Sequence, residues 1–239
     1  MQPFGTVDRT EMDQFKKAAA EAAVTQIKDG MVVGLGTGST ATYAIDALGK
    51  RVRDGLQILG VPTSEQTARQ ATELGIQLTT LGEHMHVDLT IDGADEVEAG
   101  SLNLIKGHGG ALLREKIVAS ASAHLVIIVD ESKLVARLGS HFAVPVEVVP
   151  FGWQTVAKKL EGLGAQVSLR GSDVYSTFVT DSEHYILDCA FGPIADPAAL
   201  DGELNRIVGL VEHGLFLGMT SEVVVAGQNG INTLSPPRW

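Results

Sequence analysis

The chain has 239 residues, of which 44% are hydrophobic, and its 18 basic and 29 acidic residues give a formal net charge of −11. This length and composition allow a buried core, and they favour one main domain with a smaller second unit. The negative charge argues against nucleic-acid binding, because it repels phosphates over most of the surface. A small phosphate stays possible, since backbone amides and one or two lysines can bind it locally.

A single cysteine, Cys189, excludes an internal disulfide and fits a reducing compartment. It lies in an apolar run typical of a buried strand, so we expect a structural role rather than a nucleophilic one. Residues 1–13 lack the apolar core of a signal peptide. No apolar run approaches the ~20 residues that a membrane-spanning helix needs. The expected location is the cytoplasm, with no membrane partner.

Strands and helices alternate through the first half of the chain. Apolar residues at helical spacing predict helices at residues 10–30, 41–48, 64–74 and 110–121. Short apolar runs predict strands at residues 31–35, 56–61, 87–91 and 125–130. This alternation predicts an α/β fold with a Rossmann-like, doubly wound, mainly parallel sheet. The carboxyl ends of its strands then share one edge, where such sheets bind their ligands.

From about residue 142 the pattern changes to a small α+β unit. Its predicted strands are 144–149, 166–170, 178–180 and 185–190, and its predicted helices are 152–162 and 197–211. This order favours a split-βαβ, ferredoxin-like unit. Residues 215–217 and 223–225 are predicted to return to the first sheet. We therefore expect a catalytic domain of residues 1–141 plus 214–239, and a small domain of residues 142–213 that serves oligomerisation or supports an active-site lid.

The first candidate site is the Gly-rich turn at residues 34–40, between a predicted strand and a helix. Small residues let the backbone approach an anion, and the helix start offers free N–H groups and a positive dipole end. Hydroxyls of Thr37, Ser39 and Thr40 add donors. The turn is neither a Walker loop nor a full dinucleotide fingerprint, because Ser39 replaces the third glycine. A phosphate cradle or a plain capped turn would both explain it.

The second candidate site is Asp92-Gly93-Ala94-Asp95-Glu96, directly after a predicted strand. Three carboxylates within five residues repel one another, so their proximity suggests a function. A divalent metal site, general acid–base catalysis and a solvated turn all remain open.

The third candidate site runs from Lys106 through Gly107, His108 and Gly109 to Glu115. Lys106 could stabilise a developing oxyanion, and Glu115 could act as a base. The alternative is a helix with a flexible lead-in and a surface ion pair. His108 is more often a solvated loop residue than a catalytic one, and no histidine has metal-ligand spacing. Lys133, after another strand, gives a weaker signal.

Taken together, these segments resemble the ribose-5-phosphate isomerase A family. The matching pieces, in the family's order over nearly the whole chain, are residues 34–40, 92–96, 106–116, 130–133 and 144–148. The resemblance implies interconversion of ribose 5-phosphate and ribulose 5-phosphate through an enediolate, in the non-oxidative pentose phosphate pathway. It also implies no metal, no cofactor, and a homodimer or a pair of dimers.

The resemblance implies a role for each matching residue. Thr37, Gly38, Ser39 and Thr40 would hold the phosphate or adjoining sugar end, with Lys16 and Lys133 as further phosphate contacts. Asp92 and Asp95 would contact the sugar hydroxyls, Lys106 would stabilise the enediolate, and Glu115 would be the base. Further substrate-binding positions are Gly93, Ala94, Gly107, His108 and Gly109. His108 departs from the glycine or variable residue expected there.

Three other classes are alternatives. A sugar-phosphate sensor of a transcription regulator usually carries a helix-turn-helix, for which the single predicted N-terminal helix leaves no room. A nucleotide-binding dehydrogenase would need an acidic residue after the second strand, and residues 61–64 contain none. A CoA-transferase-like enzyme with a catalytic glutamate is weaker, and a thermal shift with CoA would reveal it.

Overall fold

The computed structural model describes residues 9–171 and 176–236. Its helices are α1 (Arg9–Val24), α2 (Ser39–Arg53), α3 (Glu65–Glu73), α4 (Leu112–Ser120), α5 (Trp153–Gly162) and α6 (Pro197–Leu204). Its strands are β1 (Val32–Leu35), β2 (Leu59–Pro62), β3 (Val87–Asp92), β4 (Glu96–Glu98), β5 (Leu104–Ile105), β6 (Ser122–Asp130), β7 (Leu134–Val135), β8 (Val144–Val148), β9 (Gln166–Leu169), β10 (Tyr185–Ala190), β11 (Leu210–His213), β12 (Leu215–Phe216), β13 (Glu222–Gly227) and β14 (Gly230–Leu234).

The main sheet has six strands in the order β14-β13-β6-β3-β1-β2. All neighbouring pairs are parallel except β13 and β14, which are antiparallel. The chain passes from β1 to β2 on one side, whereas β3 lies on the other side of β1. The strand order therefore reverses beside β1, and a crevice at the carboxyl ends of β1 and β3 is the expected ligand site in such a sheet.

The central part of strand β6, residues 125–129, shows why a buried strand has an unbroken apolar sequence. Val126 and Ile128 pack against helices α1 and α2 on one face of the sheet. Leu125, Ile127 and Val129 pack on the opposite face with Phe216 and other apolar side chains. A strand covered on both faces must be apolar at every position, which is the pattern of buried parallel strands.

The second sheet is antiparallel, with the order β11-β8-β10-β9. Its elements follow the chain as β8-α5-β9-β10-α6-β11, so the four strands have the order 4-1-3-2 with two helical crossovers. This is the ferredoxin-like arrangement predicted from the sequence. Its core contains Val146, Leu160 and Leu187, all completely buried.

A third sheet, in the order β12-β5-β4-β7, was not predicted. Its strands are only two or three residues long, too short to show an alternating pattern. Val97, Leu104 and Phe216 cover the face of the main sheet opposite α1 and α2. Lys106 directly follows β5, so this small sheet determines where that lysine lies.

Three predicted elements were wrong. Residues 178–180 form no strand; an isolated bridge joins Gly171 and Thr177 instead. The helix predicted to end at residue 211 ends at Leu204; Gly209 adopts a left-handed φ of 95°, and β11 begins directly after it. Leu215–Phe216 pairs with β5 rather than with the main sheet; of the two predicted segments, the one around residues 223–225 returns there, followed by the unpredicted strand β14.

Within residues 9–171 and 176–236, no helix is both long and apolar enough to cross a membrane.

Candidate active site

The carboxyl ends of β1, β3 and β6 bring the predicted loops together around one cavity of about 330 Å³. All the predicted site residues except Asp92 line it. The sequence did not single out four other residues as site residues, and these also line it: Met12, Asp130, Ser132 and Phe142. Four loops that are distant in sequence, residues 37–40, 93–95, 106–109 and 130–133, therefore form one site.

A buried charge cluster lies at one end of the cavity. The Nζ atom of Lys106 lies 3.0 Å from Oδ2 of Asp92 and 3.3 Å from Oε2 of Glu115, and it donates a 2.6 Å hydrogen bond to the Gly93 carbonyl. Each of these three side chains is at most 4% exposed. One ammonium thus faces two desolvated carboxyls, and Oε2 of Glu115 has this ammonium as an ion-pair partner but accepts no hydrogen bond from the described residues.

Burial dominates the protonation of this cluster. Desolvation raises the pKa of Glu115 to about 8, against the lowering effect of Lys106, and the nearby Asp92 and Asp95 charges raise it further. Desolvation also raises the pKa of Asp92, partly offset by Lys106. Burial alone would lower the pKa of Lys106, but the adjacent carboxylates of Asp92 and Glu115 outweigh it and raise that pKa. Lys106 therefore stays charged, while Glu115 is tuned to exchange a proton near neutral pH.

Asp92 lies behind the cavity wall, because the backbone surrounds it. Its Oδ1 accepts hydrogen bonds from the N–H groups of Thr37 (3.1 Å) and Gly93 (2.7 Å). A Cβ atom on Gly36 would lie 2.3 Å from this oxygen, so only glycine fits there. Asp92 thus links the β1 and β3 loops and holds Lys106, whereas Asp95 is the carboxylate that reaches the cavity.

The loop from Gly107 to Gly109 covers the cavity beside Asp95. The His108 N–H donates a 2.9 Å hydrogen bond to Oδ2 of Asp95. Gly107 has a φ of 102°, and a Cβ atom on it would lie 2.7 Å from Cβ of Leu112. Both the backbone conformation and the packing at position 107 therefore require a glycine. The exposed His108 ring packs edge-on against Phe142, with ring centroids 5.4 Å apart.

The other end of the cavity suits an anion. Helix α2 begins at Ser39 with Gly38 as its N-cap, so its first N–H groups and its dipole face this end. Lys16 and Lys133 both line it. Lys16 lies 3.3 Å from Asp13, and Nζ of Lys133 lies 4.5 Å from the centre of the Phe142 ring. Two cations and a helix start thus line the same cavity, as expected for a phosphate-binding site.

The Thr37 side chain turns away from this end. Its hydroxyl lies 2.7 Å from that of Thr63, 2.9 Å from that of Ser64 and 3.2 Å from that of Thr67. Thr67 also donates to the Gly36 carbonyl at 2.8 Å. Thr37 therefore anchors the loop through its side chain, and its backbone N–H donates to Asp92 of the buried charge cluster.

Glu96, the third carboxylate of the acidic motif, has a different function. It is completely buried and accepts hydrogen bonds from the backbone N–H groups of Gly139 (2.6 Å), His141 (2.5 Å) and Phe142 (2.8 Å). It thereby fixes the segment that brings Phe142 to the cavity. In the described ranges, no group of three or more His, Cys, Asp or Glu side chains could hold a metal ion.

A doubly wound α/β sheet with a buried lysine between two carboxyls, next to an anion-binding helix start, defines an enzyme site for a small anionic substrate. Residues 59–230 match the family model of ribose 5-phosphate isomerase A (phosphoriboisomerase A). The chain belongs to this family.

Individual relatives agree over nearly the full length. The chain is 61% identical to ribose-5-phosphate isomerase A of Gloeobacter violaceus, over 95% of this chain and 98% of the relative. The solved ribose 5-phosphate isomerase A of Methanocaldococcus jannaschii is 42% identical, with a TM-score of 0.89 over 93% of this chain and 99% of that one. A D-ribose-5-phosphate isomerase solved in complex with phospho-erythronic acid is 39% identical, with a TM-score of 0.90 over 94% and 99% of the two chains.

Proposed function

We propose that this chain interconverts D-ribose 5-phosphate and D-ribulose 5-phosphate through an enediolate. The observation that carries the proposal is the buried Lys106 ammonium between the carboxyls of Asp92 and Glu115, in the same cavity as Lys16, Lys133 and the start of α2. The relative in complex with phospho-erythronic acid, a phosphorylated sugar acid, supports a sugar phosphate as substrate.

Phosphate binding and chemistry occupy opposite ends of the cavity. Lys16, Lys133 and the N–H groups at Gly38, Ser39 and Thr40 hold the phosphate. Binding energy from this remote group orients the reacting carbons without taking part in the chemistry. The sugar chain then extends towards Lys106 and Glu115.

Glu115 is the base. Its carboxylate removes the proton from C2 of the open-chain aldose, the C2–H electron pair forms the C1=C2 bond, and the carbonyl pair moves onto O1. After a proton passes between O2 and O1, C2 becomes the carbonyl carbon and Glu115 returns its proton to C1. Oε2 of Glu115 is ion-paired with Lys106 at 3.3 Å but accepts no hydrogen bond from the described residues, so no hydrogen-bond donor has to leave it before it takes up the proton.

Lys106 and Asp95 stabilise the charge that develops on the sugar oxygens. The Lys106 ammonium is fixed by Asp92 and the Gly93 carbonyl before substrate arrives, so it needs no reorganisation in the transition state. Asp95 faces the cavity and contacts the sugar hydroxyls, assisting proton movement between them. We assign Asp92 to positioning Lys106 rather than to contacting the sugar, because it is 1% exposed and absent from the cavity wall.

Proton NMR of ribose 5-phosphate with metal-stripped protein in heavy water tests the proposal. Appearance of ribulose 5-phosphate with solvent deuterium at C1 or C2 is the expected result. Saturable binding without turnover would instead indicate a sugar-phosphate sensor. Neither turnover nor binding would show that the substrate is a different one.

The small domain, the assembly and the location are further proposals. We propose that residues 142–213 form a separate domain serving oligomerisation or an active-site lid, and that the protein is a homodimer or a pair of dimers. Phe151 and Val208 support this assignment, since they are 94% and 84% exposed on this unit. Sedimentation equilibrium of the protein and of Phe151→Ser would test the proposed assembly.

The buried free thiol of Cys189 supports a cytoplasmic location.

A further inference from the structure

Arg170 connects the antiparallel sheet to the loop that covers the cavity. It follows strand β9, and its side chain is 14% exposed. Its Nη1 atom donates hydrogen bonds to the carbonyls of Gly107 (2.9 Å) and His108 (3.0 Å). Its Nε atom donates to Oδ2 of Asp188 at 2.9 Å, and its Nη2 atom pairs with the other carboxylate oxygen. The guanidinium is therefore held on one side by Asp188 and holds the loop on the other.

The peptide unit between Gly107 and His108 is bound at both ends. Arg170 holds its carbonyl oxygen, and Asp95 accepts a hydrogen bond from its N–H group. A trans peptide is planar, with the carbonyl and the N–H pointing in opposite directions. The guanidinium and the Asp95 carboxylate consequently bind opposite edges of one planar, rigid peptide unit, and a shift of either end moves the other.

We propose that Arg170 is a positioning residue of the isomerase site, acting on Asp95 through the Gly107–His108 peptide; this inference rests on the proposed function. A charged donor on the carbonyl polarises the peptide unit and strengthens its N–H as a donor to Asp95. Without Arg170 the peptide plane can rotate about the glycine, and Asp95 loses the donor that fixes its direction.

The geometry distinguishes this arginine from an ordinary ion pair between elements. Lys116, for comparison, pairs with Glu212 at 2.6 Å, and neither residue lines the cavity. Arg170 instead contacts two residues that do line it, Gly107 and His108. A Cβ atom on Gly110 would lie 2.3 Å from the Phe178 ring, so Phe178 of the small α+β unit also packs closely against this loop.

A double-mutant cycle tests the proposal. Steady-state isomerisation of ribose 5-phosphate is measured for the wild type, Arg170→Ala, Asp95→Asn and the double variant, with urea unfolding of each. We expect Arg170→Ala to lower kcat about 10- to 100-fold with KM changed less than about threefold, as for a reacting group misplaced by about 1 Å. In the Asp95→Asn background the same change should have little further effect, because both residues act on one step.

Two further variants separate positioning from stability. Arg170→Lys should recover part of kcat, because an ammonium reaches a loop carbonyl but cannot pair with Asp188 through two nitrogens. Arg206→Ala is the matched control, since it removes a 75% exposed arginine paired with Glu203 in the same unit. It should leave kcat unchanged. If Arg170→Ala does not fold, the cycle is run with Arg170→Lys.

The outcomes decide both questions separately. Additive effects of Arg170→Ala and Asp95→Asn on kcat, or a loss confined to KM, would overturn the positioning role. No turnover by the wild type would overturn the proposed function instead. In that case amide hydrogen exchange of residues 106–113 still decides the inference: faster exchange of the His108 N–H in Arg170→Ala supports it, and unchanged exchange refutes it.

Discussion

The two ends of the cavity differ in how deeply their charged side chains are buried. At the reaction end, Lys106 and Glu115 are at most 4% exposed, so their charges interact strongly and their pKa values move far from the ordinary range. At the anion end, the Lys16 side chain is 17% exposed and lies beside a half-exposed Asp13. Charges that solvent reaches are screened more strongly by water and salt than fully buried ones. Catalysis should therefore depend on a few irreplaceable buried atoms, and phosphate binding on a sum of replaceable contacts.

The largest expected effect is that of Glu115→Gln. It should lower kcat by about 10²–10⁴-fold, which is the usual contribution of general-base catalysis. The fold should tolerate the change: with a pKa of about 8, Glu115 is mostly neutral at pH 7, and glutamine mimics the neutral acid. Steady-state kinetics and urea unfolding measure both quantities. Glu73→Gln, at an exposed position on α3, is the control. Near-normal turnover of Glu115→Gln would remove Glu115 as the base.

Lys106→Met should reduce both activity and stability. The loss in kcat should reach about 10²–10³-fold, as for removal of an oxyanion donor. It leaves Asp92 and Glu115 buried without their cation, at a cost of about 3–5 kcal/mol in the free energy of unfolding at pH 8. The cost should shrink at pH 6, where the two carboxyls can take up protons. Lys158→Met, at an exposed position on α5, should change neither quantity. A Lys106→Met variant with only a raised KM would assign Lys106 to substrate binding.

The pH dependence should show the raised pKa of Glu115 directly. Because the base must be ionised, kcat/KM should fall about tenfold per pH unit below a pKa of about 8. The folded-state pKa lies above the unfolded value of 4.5, so the contribution of Glu115 to stability is complete below pH 4.5 and is lost as pH rises through about 8. As pH rises, the contribution of Glu115 to kcat/KM therefore increases while its contribution to stability decreases. A pH profile of Glu115→Gln that keeps the same inflection would assign the inflection to another group.

The position of the site could be predicted from the sequence, because parallel strands place their carboxyl ends on one edge. Strands β1, β3 and β6 were each recognisable as short apolar runs followed by polar or Gly-rich loops. A shared edge for their carboxyl ends then follows from the topology of such sheets, whereas their order, β6-β3-β1, is known only from the structure. The meeting of residues 36–40, 92–95 and 130–133 was accordingly predictable.

The direction of each side chain was not predictable in the same way. Asp92 and Asp95 are three residues apart and chemically alike, but one is enclosed by the backbone near Gly36 and the other faces the cavity. Thr37 resembled a phosphate ligand, and its hydroxyl joins Thr63 and its neighbours instead. Local sequence does not encode these choices, because they depend on contacts with residues far away in the chain.

The contributions of the second sheet to the site could not be predicted from sequence patterns either. Arg170 is separated from Gly107 by 63 positions and belongs to a different sheet, so no spacing rule links them. Phe142 reaches the cavity because Glu96 fixes the backbone before it. The sequence shows Glu96 only as the third of three nearby acids, and its burial among backbone N–H donors appears only in the structure.

The smallest expected effects come from the anion end, which sharpens the contrast with the reaction end. Lys133→Ala should raise KM about tenfold and leave kcat within about twofold, because a charge-assisted contact of this kind contributes about 1.5 kcal/mol to binding. Lys16→Ala should behave alike, and Lys17→Ala, on the same helix but 56% exposed, is the control. Raising the salt concentration from about 20 to 200 mM should increase KM for the wild type, because salt screens the attraction between the lysines and the phosphate. The increase should be smaller for either variant, because the variant has already lost one of these attractions. A drop in kcat of the size expected for Glu115→Gln would mean that the two ends do not act separately, and that phosphate binding itself assembles the reaction end.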